Sequence, residues 1–360
     1  MLKVIKEVLT KIENKGFQAY VVGGFVRDYY LGQISNDIDI CTRAKITDLK
    51  DIFPQIVSIN KEYGSVVIEY KKLKIQITTF RKDIAYHRQL KQIKVEYVLT
   101  LAEDLKRRDF TINTLCLDKD LNIVDMFNAR EDLNHKIVRT LGNPDTRLKE
   151  DPLRILRAIR LATVLNFSLD SKLKQAIKDN KELLSSLSFY RQKNELDKIF
   201  ASAHVKYGLN LLQEFKLDKE LKLNLKPVVV TSNYLGIWAQ LDCNQYEFTS
   251  EEAKTIMIIN KLIRLDLTDP YVLYKHDLKW LKIASEIRNM AWSKVLTQYQ
   301  SLPIKSSKEI KISFTDIEDI LKVNDKRQIK QIYNDIEQKI LYNKLNNNYL
   351  TLKNYILKNK

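Results

Sequence analysis

Three clusters along this chain carry the residue types that phosphate, metal and nucleobase chemistry require. The first is Gly23-Gly24-Phe25-Val26-Arg27-Asp28, followed by Asp37-Ile38-Asp39. A double glycine lets backbone N–H groups approach a phosphate closely, the start of a helix adds a favourable dipole, and Arg27 adds a bidentate donor. Asp37 and Asp39 stand two apart, so on a strand both carboxylates face one side. Paired carboxylates beside a phosphate site suit Mg²⁺, which takes oxygen ligands. The second cluster is Arg107-Arg108-Asp109-Phe110-Thr111-Ile112-Asn113. Arg108 can grip phosphate, while Asp109 and Asn113 can bond ribose hydroxyls. The third is Glu150-Asp151-Pro152-Leu153-Arg154, continuing to Arg157 and Arg160. Pro152 suits a first helical turn, and Asp151 and Arg154, three apart, fall side by side on one helix face. Taken singly, each cluster is also what a glycine turn, a solvated strand edge or a helix-start ion pair looks like.

The elements that must position these residues change character along the chain. Leu2 to Lys15 has helical spacing and stops at Gly16. Ala19 to Val22 reads as a buried strand ending at Gly23-Gly24, Val26 to Leu31 as a short helix, and Asp37 to Ile40 as a strand. Ser65 to Tyr70 and Lys74 to Phe80 read as a hairpin around Lys71-Lys72, with further strands over Thr111 to Leu117 and Ile123 to Met126. After Pro144 the apolar spacing becomes helical, no glycine follows Gly236, and Pro227, Pro270 and Pro303 are the breaks.

Composition narrows the function class. Lys and Arg number 61 against 45 Asp and Glu, a formal charge of +16, which favours a polyanionic partner such as nucleic acid. Cys41, Cys116 and Cys243 are far apart and form no CxxC pair, which argues against a zinc site or disulfide framework and suits a reducing cytosol. The N-terminus lacks the pattern of a signal peptide and no apolar run has the length of a membrane span, so a soluble, cytoplasmic chain is expected.

In their order, GGxVRD, DxD, RRDFTxN and EDxxRxxR, the clusters resemble the class II tRNA nucleotidyltransferase and bacterial poly(A) polymerase family. Asp125-Met126-Phe127-Asn128-Ala129 resembles the family's DxxxG element, with alanine in the glycine place. Leu187-Ser188 through Arg191, Glu195 and Lys198 resembles its fifth motif, and Leu302-Pro303 to Ile356 resembles the tail of the short CCA-adding enzymes of low-GC Gram-positive bacteria. The resemblance implies an α/β nucleotidyltransferase head followed by an all-α neck, body and tail, a seahorse-like fold. It implies a head over residues 1–140, a nucleotide-recognition neck over 141–200, a helical body over 201–270 and a tRNA-binding tail over 271–360. It implies no phosphohydrolase domain, which leaves His276-Asp277 a structural dipeptide.

The implied activity is template-independent addition and repair of the CCA end of tRNA from CTP and ATP. Asp37 and Asp39 would hold Mg²⁺, Gly23, Gly24 and Arg27 would take the triphosphate, and Arg108, Asp109 and Asn113 would fix phosphate and ribose. Asp151 would accept from the amino group that cytosine and adenine share, and Arg154 would donate to the adjacent ring nitrogen. Uracil and guanine would turn a carbonyl toward the carboxylate and be rejected. Arg157 and Arg160 would hold phosphates or the geometry of the C-to-A switch. The implied partner is tRNA, at its acceptor stem and 3′ end; no membrane is involved, and a homodimer stays open. Gln76 stands where many relatives place an acid, with Glu69 a substitute, and Val323-Asn324-Asp325-Lys326 replaces a Pro-Gly element. The long connection from Arg81 to Arg107 stands where the family carries a flexible segment tied to addition of the final A. Rival readings are a poly(A) polymerase, an enzyme adding only CC or only A, and an inactive RNA-binding protein.

Overall fold

Apolar residues at Ile5, Val8, Leu9 and Ile12 line one side of the first helix, α1 (Leu2–Glu13), and all four are buried. The chain then enters β1 (Ala19–Val22) and turns at Gly23, whose φ of +79° is a conformation that glycine adopts without a Cβ penalty. Helix α2 (Gly24–Tyr30) follows, then β2 (Ile38–Thr42), α3 (Ile46–Ile52), β3 (Ile56–Asn60), β4 (Ser65–Tyr70) and β5 (Leu73–Thr79). The β4–β5 hairpin turns on Lys71 and Lys72, both at positive φ, and Lys71 is secured by Glu7 at 2.6 Å. The computed structural model describes residues 1–87, 92–225 and 228–358.

The long connection after Phe80 contains a two-stranded antiparallel ribbon, β6 (Arg81–His87) and β7 (Gln92–Tyr97). Its root is docked: Val98 N donates to Phe80 O, Arg81 N donates to Asp104, and the Tyr97 ring lies where a Cβ on Gly64 would come within 2.6 Å of it. Residues 88–91, within the segment expected to act in addition of the final A, lie outside the described residues. Next come α4 (Leu101–Lys106), β8 (Cys116–Leu117) and β9 (Ile123–Val124). The strand expected over Thr111 to Leu117 is a correction. Thr111–Asn113 is a single 3-10 turn and only Cys116–Leu117 is strand. Thr111 and Ile112 are buried against other elements, so their burial produces the apolar pattern without pairing. Seven strands form one sheet in the order β3-β4-β5-β2-β1-β8-β9, with β2 and β5 parallel and the other pairs antiparallel.

Helix α5 (Ala129–Asn134) and β10 (Ile137–Val138) lead out of the sheet to α6 (Pro144–Glu150) and α7 (Leu153–Leu165). A short strand, β11 (Ser168–Leu169), returns to pair in parallel with β10, and α8 (Ser171–Asn180), α9 (Phe189–Phe200), α10 (Val205–Glu214) and α11 (Asp218–Leu221) complete a unit spanning Met1–Leu221. The DxxxG-like element tolerates Ala129 because Asn128 takes the left-handed position (φ +56°), while Asp125 accepts from the N–H groups of Phe127, Ala129 and Arg130.

The second unit, Lys222–Lys360, is helical over its described residues: α12 (Tyr234–Trp238), α13 (Ser250–Leu262), α14 (Pro270–Lys275), α15 (Leu278–Ile287), α16 (Trp292–Gln300), α17 (Phe314–Leu321), α18 (Lys326–Leu341) and α19 (Tyr349–Lys358). Its core runs through Leu262, Leu281, Ile304, Ile317, Ile336 and Leu352. Around Val323-Asn324-Asp325-Lys326, Lys322 takes the left-handed position that ends α17 and Asp325 caps α18 through the N–H groups of Arg327 and Gln328. Asp277 likewise caps α15 through Lys279 N, a structural use of the His276-Asp277 dipeptide.

Candidate active site

The site is built where β1, β2 and the α4-to-β8 connection meet. Pairing of β1 with β2 sets Val22 opposite Asp39, so the glycine turn after β1 and the carboxylate of β2 come together. A Cβ on Gly23 would stand 3.5 Å from Arg108 Nη1 and 3.6 Å from Asp39 Oδ2, which measures how closely the three residues converge. Asp37 lies just ahead of β2 and is exposed, whereas Asp39 is half-buried. Burial raises the Asp39 pKa, Arg108 works against that shift, and the Asp37 charge adds to it. Beneath the site, Val22, Cys41, Phe80, Leu101, Leu105 and Cys116 pack together. Burial drives the Cys116 thiol up to about 12 and Cys41 well above its ordinary value, which leaves both inert.

Arginines gather beside this corner, each held by an acid. Arg27 donates through Nε and Nη2 to Asp28 Oδ1 at 2.8 and 2.7 Å, and through Nη1 to Asn113 Oδ1 at 2.8 Å. The side chain of Asp104, 0 % exposed, receives Arg107 Nε at 3.0 Å and Arg108 Nη2 at 3.5 Å. Asp109 receives Arg154 Nε on one oxygen at 3.0 Å and Arg157 Nη1 on the other at 2.7 Å. Arg160 pairs with Glu195 at 2.9 Å. Burial lowers the Arg160 pKa, Glu195 opposes that, and Arg157 and Arg27 lower it further, so three guanidinium groups share one field. A concentration of cations in a partly desolvated pocket suits a triphosphate.

The third cluster differs from its expected geometry. The chain breaks between α6 and α7, so Asp151 stands outside α7 and Pro152 is the residue capping it. Asp151 accepts from Leu153 N at 3.2 Å and from Arg191 Nη2 at 3.1 and 3.2 Å. Arg154 turns to Asp109, to Glu150 at 2.7 Å and to Arg147 O at 2.7 Å. The two sit adjacent but have separate partners. A proline after Asp151 disfavours helical backbone there, which explains the break.

The donor set fits a divalent cation. Among the described residues no group of three His, Cys, Asp or Glu side chains could hold a metal; Asp37, just outside β2, is near enough to Asp39 for its charge to act on that carboxyl. Mg²⁺ commonly takes only one or two carboxylates, completing its shell with water and substrate phosphates. A desolvated carboxylate next to a like charge gains most from a cation. Gln76 lies directly across from Asp39 on β5, and Glu69 lies one strand further out, opposite Lys74.

Residues 19–139 match a family model described as the poly A polymerase head domain, and residues 166–227 match a probable RNA and SrmB-binding site of polymerase A. The chain is 31% identical to the CCA-adding enzyme of Ligilactobacillus salivarius over 94% of its own length and 92% of that protein. It belongs to the CCA-adding enzyme family. A second CCA-adding enzyme, from Lactobacillus helveticus, is 38% identical across 70% of this chain, an alignment that spans 61% of that relative. The fold is that of the Bacillus stearothermophilus CCA-adding enzyme solved in complex with CTP, with a TM-score of 0.81, 24% identity, and coverage of 99% and 97% of the two chains. An α/β head followed by a mostly helical remainder is therefore the architecture of this family member, as its motifs implied. Among the described residues no helix is long and apolar enough to cross a membrane.

Sequence reasoning missed the residues that hold the CCA-family motifs in place. Asp104 lies one helical turn before Arg108, a spacing that signals an ion pair. Arg147 had a local signal only toward Glu150, three residues on; the backbone carbonyls it also holds lie about forty residues away in the chain.

Proposed function

We propose that this chain adds and repairs the 3′-terminal CCA of tRNA, using CTP and ATP and releasing pyrophosphate. The observation that carries the reading is the meeting of Gly23, Asp39 and Arg108 beside a cation field formed by Arg27, Arg157 and Arg160. The backbone at Gly23 and Gly24, with Arg27, Arg157 and Arg160, takes the triphosphate. Arg108 holds phosphate next to Asp39, and Asp109 and Asn113, which orient Arg154, Arg157 and Arg27, present their remaining acceptor capacity to the ribose.

Asp37 and Asp39 hold Mg²⁺ in this reading. Held there, such an ion would supply Lewis-acid polarisation of the attacking 3′-hydroxyl and charge neutralisation for the departing pyrophosphate. Asp151 accepts from the exocyclic amino group of cytosine or adenine, and Arg154 donates to the ring nitrogen. Nε and Nη1 of Arg154 are already engaged, which leaves Nη2 as the donor to the base in this reading. A carbonyl in place of the amino group meets a carboxylate and is repelled. Residues 1–140, 141–200, 201–270 and 271–360 then serve as catalytic head, recognition neck, body and tRNA-binding tail, in a cytoplasmic enzyme whose charge of +16 favours the RNA.

The deciding experiment incubates tRNA lacking its 3′ end with CTP and ATP and sequences the product. Addition of CCA is expected. Products ending at CC, products carrying only A, or runs of A replace the reading with one of its rivals, and unchanged tRNA overturns it.

A further inference from the structure

Arg147 lies on α6, outside the three clusters, yet its side chain is only 13% exposed. Its Nη2 donates to two successive peptide carbonyls, Arg107 O at 2.7 Å and Arg108 O at 2.6 Å, which flank Arg108 on both sides. Its Nη1 donates to Glu150 Oε2 at 2.6 Å, the same oxygen that receives Arg154 Nη1 at 2.7 Å. Its own carbonyl accepts Arg154 Nη1 at 2.7 Å. Arg154 Nε reaches Asp109, the residue after Arg108, at 3.0 Å. These contacts close a ring: Arg108–Asp109 by the chain, Asp109 to Arg154, Arg154 to Arg147, and Arg147 back to the Arg108 carbonyl. Nε of Arg147 is buried with no hydrogen-bond partner among the described residues, so the ring is kept at the expense of a desolvated donor.

We infer that Arg147 is the positioning residue that fixes the span between the phosphate grip at Arg108 and the base reader at Arg154. A planar guanidinium can face two carbonyls and a carboxylate at once, and an ammonium cannot reproduce that fork. A nucleotide is bound at both ends in the proposed site, so the span between the ends decides where its α-phosphorus falls. A small displacement of reacting atoms costs rate more than binding. Arg147 touches neither substrate nor metal in this arrangement; it acts through Arg108 and Arg154.

The inference rests on the proposed CCA-adding function, and one experiment separates the two. Single-nucleotide incorporation is measured for CTP and for ATP on tRNAs ending one step short of each, with wild type, Arg147→Lys and Arg147→Gln. Folded fraction is followed by thermal melting. For Arg147→Lys the structure calls for kcat to fall by about tenfold or more for both nucleotides while KM moves by less than about threefold. Full kcat in the folded variant overturns the positioning role, as does a loss confined to KM or one that vanishes on cooling along with the unfolded fraction. Wild type that incorporates neither nucleotide overturns the proposed function instead. If both Arg147 variants fail to fold, Glu150→Ala removes the half-exposed carboxylate shared by Arg147 and Arg154. Reduced kcat at unchanged KM then supports the ring, and unchanged kcat overturns it.

Discussion

Around Gly23 the site is held by backbone: a positive φ at the turn, and strand register that sets Asp39 between Val22 and Gln76. Around Asp151 it is held by side chains: Arg191 on Asp151, and Asp109 and Glu150 on Arg154. The contrast matches two different demands. Phosphates are the same in every nucleotide, so their grip gains from rigidity. The bases to be read differ in size, and the half-exposed Arg191–Asp151 pair can exchange partners at little cost where a sheet rung cannot. Damage at the glycine corner should therefore remove all activity alike, whereas damage around Asp151 should change which nucleotide is used.

The largest effect is expected at the corner. Asp39→Ala or Asp37→Ala should lower CMP and AMP incorporation together by more than ~1000-fold, about 4 kcal/mol of barrier. Binding of tRNA, measured by filter retention, should persist. Activity within about tenfold of wild type would remove Asp37 and Asp39 from the metal-holding role. An effect on one nucleotide only would erase the contrast between the two ends.

The ribbon ranks next. Removing residues 84–93 should leave CC addition largely intact and slow addition of the terminal A by ~100-fold, read from the sequenced ends of the product. The root of the ribbon is tied to the corner through the Arg81 N to Asp104 bond, and Asp104 also holds Arg107 and Arg108. Equal slowing of C and A would show that the ribbon serves the corner rather than the switch.

How far this division was legible in the sequence depended on how local its causes are. The β4–β5 hairpin was readable because Val66, Ile68, Ile75 and Ile77 are buried and alternate with more exposed neighbours, so burial of one face writes a period of two. The ribbon was harder to read: Gln92 to Tyr97 alternates with a period of two, but Arg81-Lys82-Asp83 on the strand it pairs with is a charged run with no such alternation. The motif residues themselves stood out by type and spacing, and Gly23, Asp39 and Arg108 meet in space. Their partners were not. Nothing near Arg154 in the chain announces Asp109, and a guanidinium seeking backbone carbonyls, as Arg147 does, has no sequence pattern. The break ahead of α7 could have been read from Pro152, which disfavours helical backbone at Asp151.

A smaller effect, and one of different kind, is expected from Asp151→Ala. Preference for CTP over UTP should fall by about tenfold or more, since the carboxylate that repels a carbonyl is gone, and CMP incorporation should fall less than preference does. Competition between the two nucleotides on one tRNA measures it directly. An unchanged ratio would reduce Asp151 to a helix-break residue bonded to Leu153 N.

The smallest effect is expected from Arg191→Ala, and it tests whether the base end is as exchangeable as its construction implies. Arg191 and Asp151 have side chains 37% and 31% exposed, so the pair is a half-solvated one. Such pairs are worth roughly 0.2–1 kcal/mol, which sets a ceiling of about fivefold on what its loss can do. Asp151 keeps its bond from Leu153 N, so the carboxylate stays in place but turns more freely. CTP-over-UTP preference should therefore drop by about two- to fivefold with kcat for CTP unchanged. Raising salt should reproduce part of that drop in wild type and none of it in the variant, because the exposed pair is screened. A loss as large as that of Asp151→Ala would mean that Arg191 itself reads the nucleotide. No loss at all would mean that the backbone N–H of Leu153 alone orients the carboxylate, and the base end would then be held as rigidly as the glycine corner.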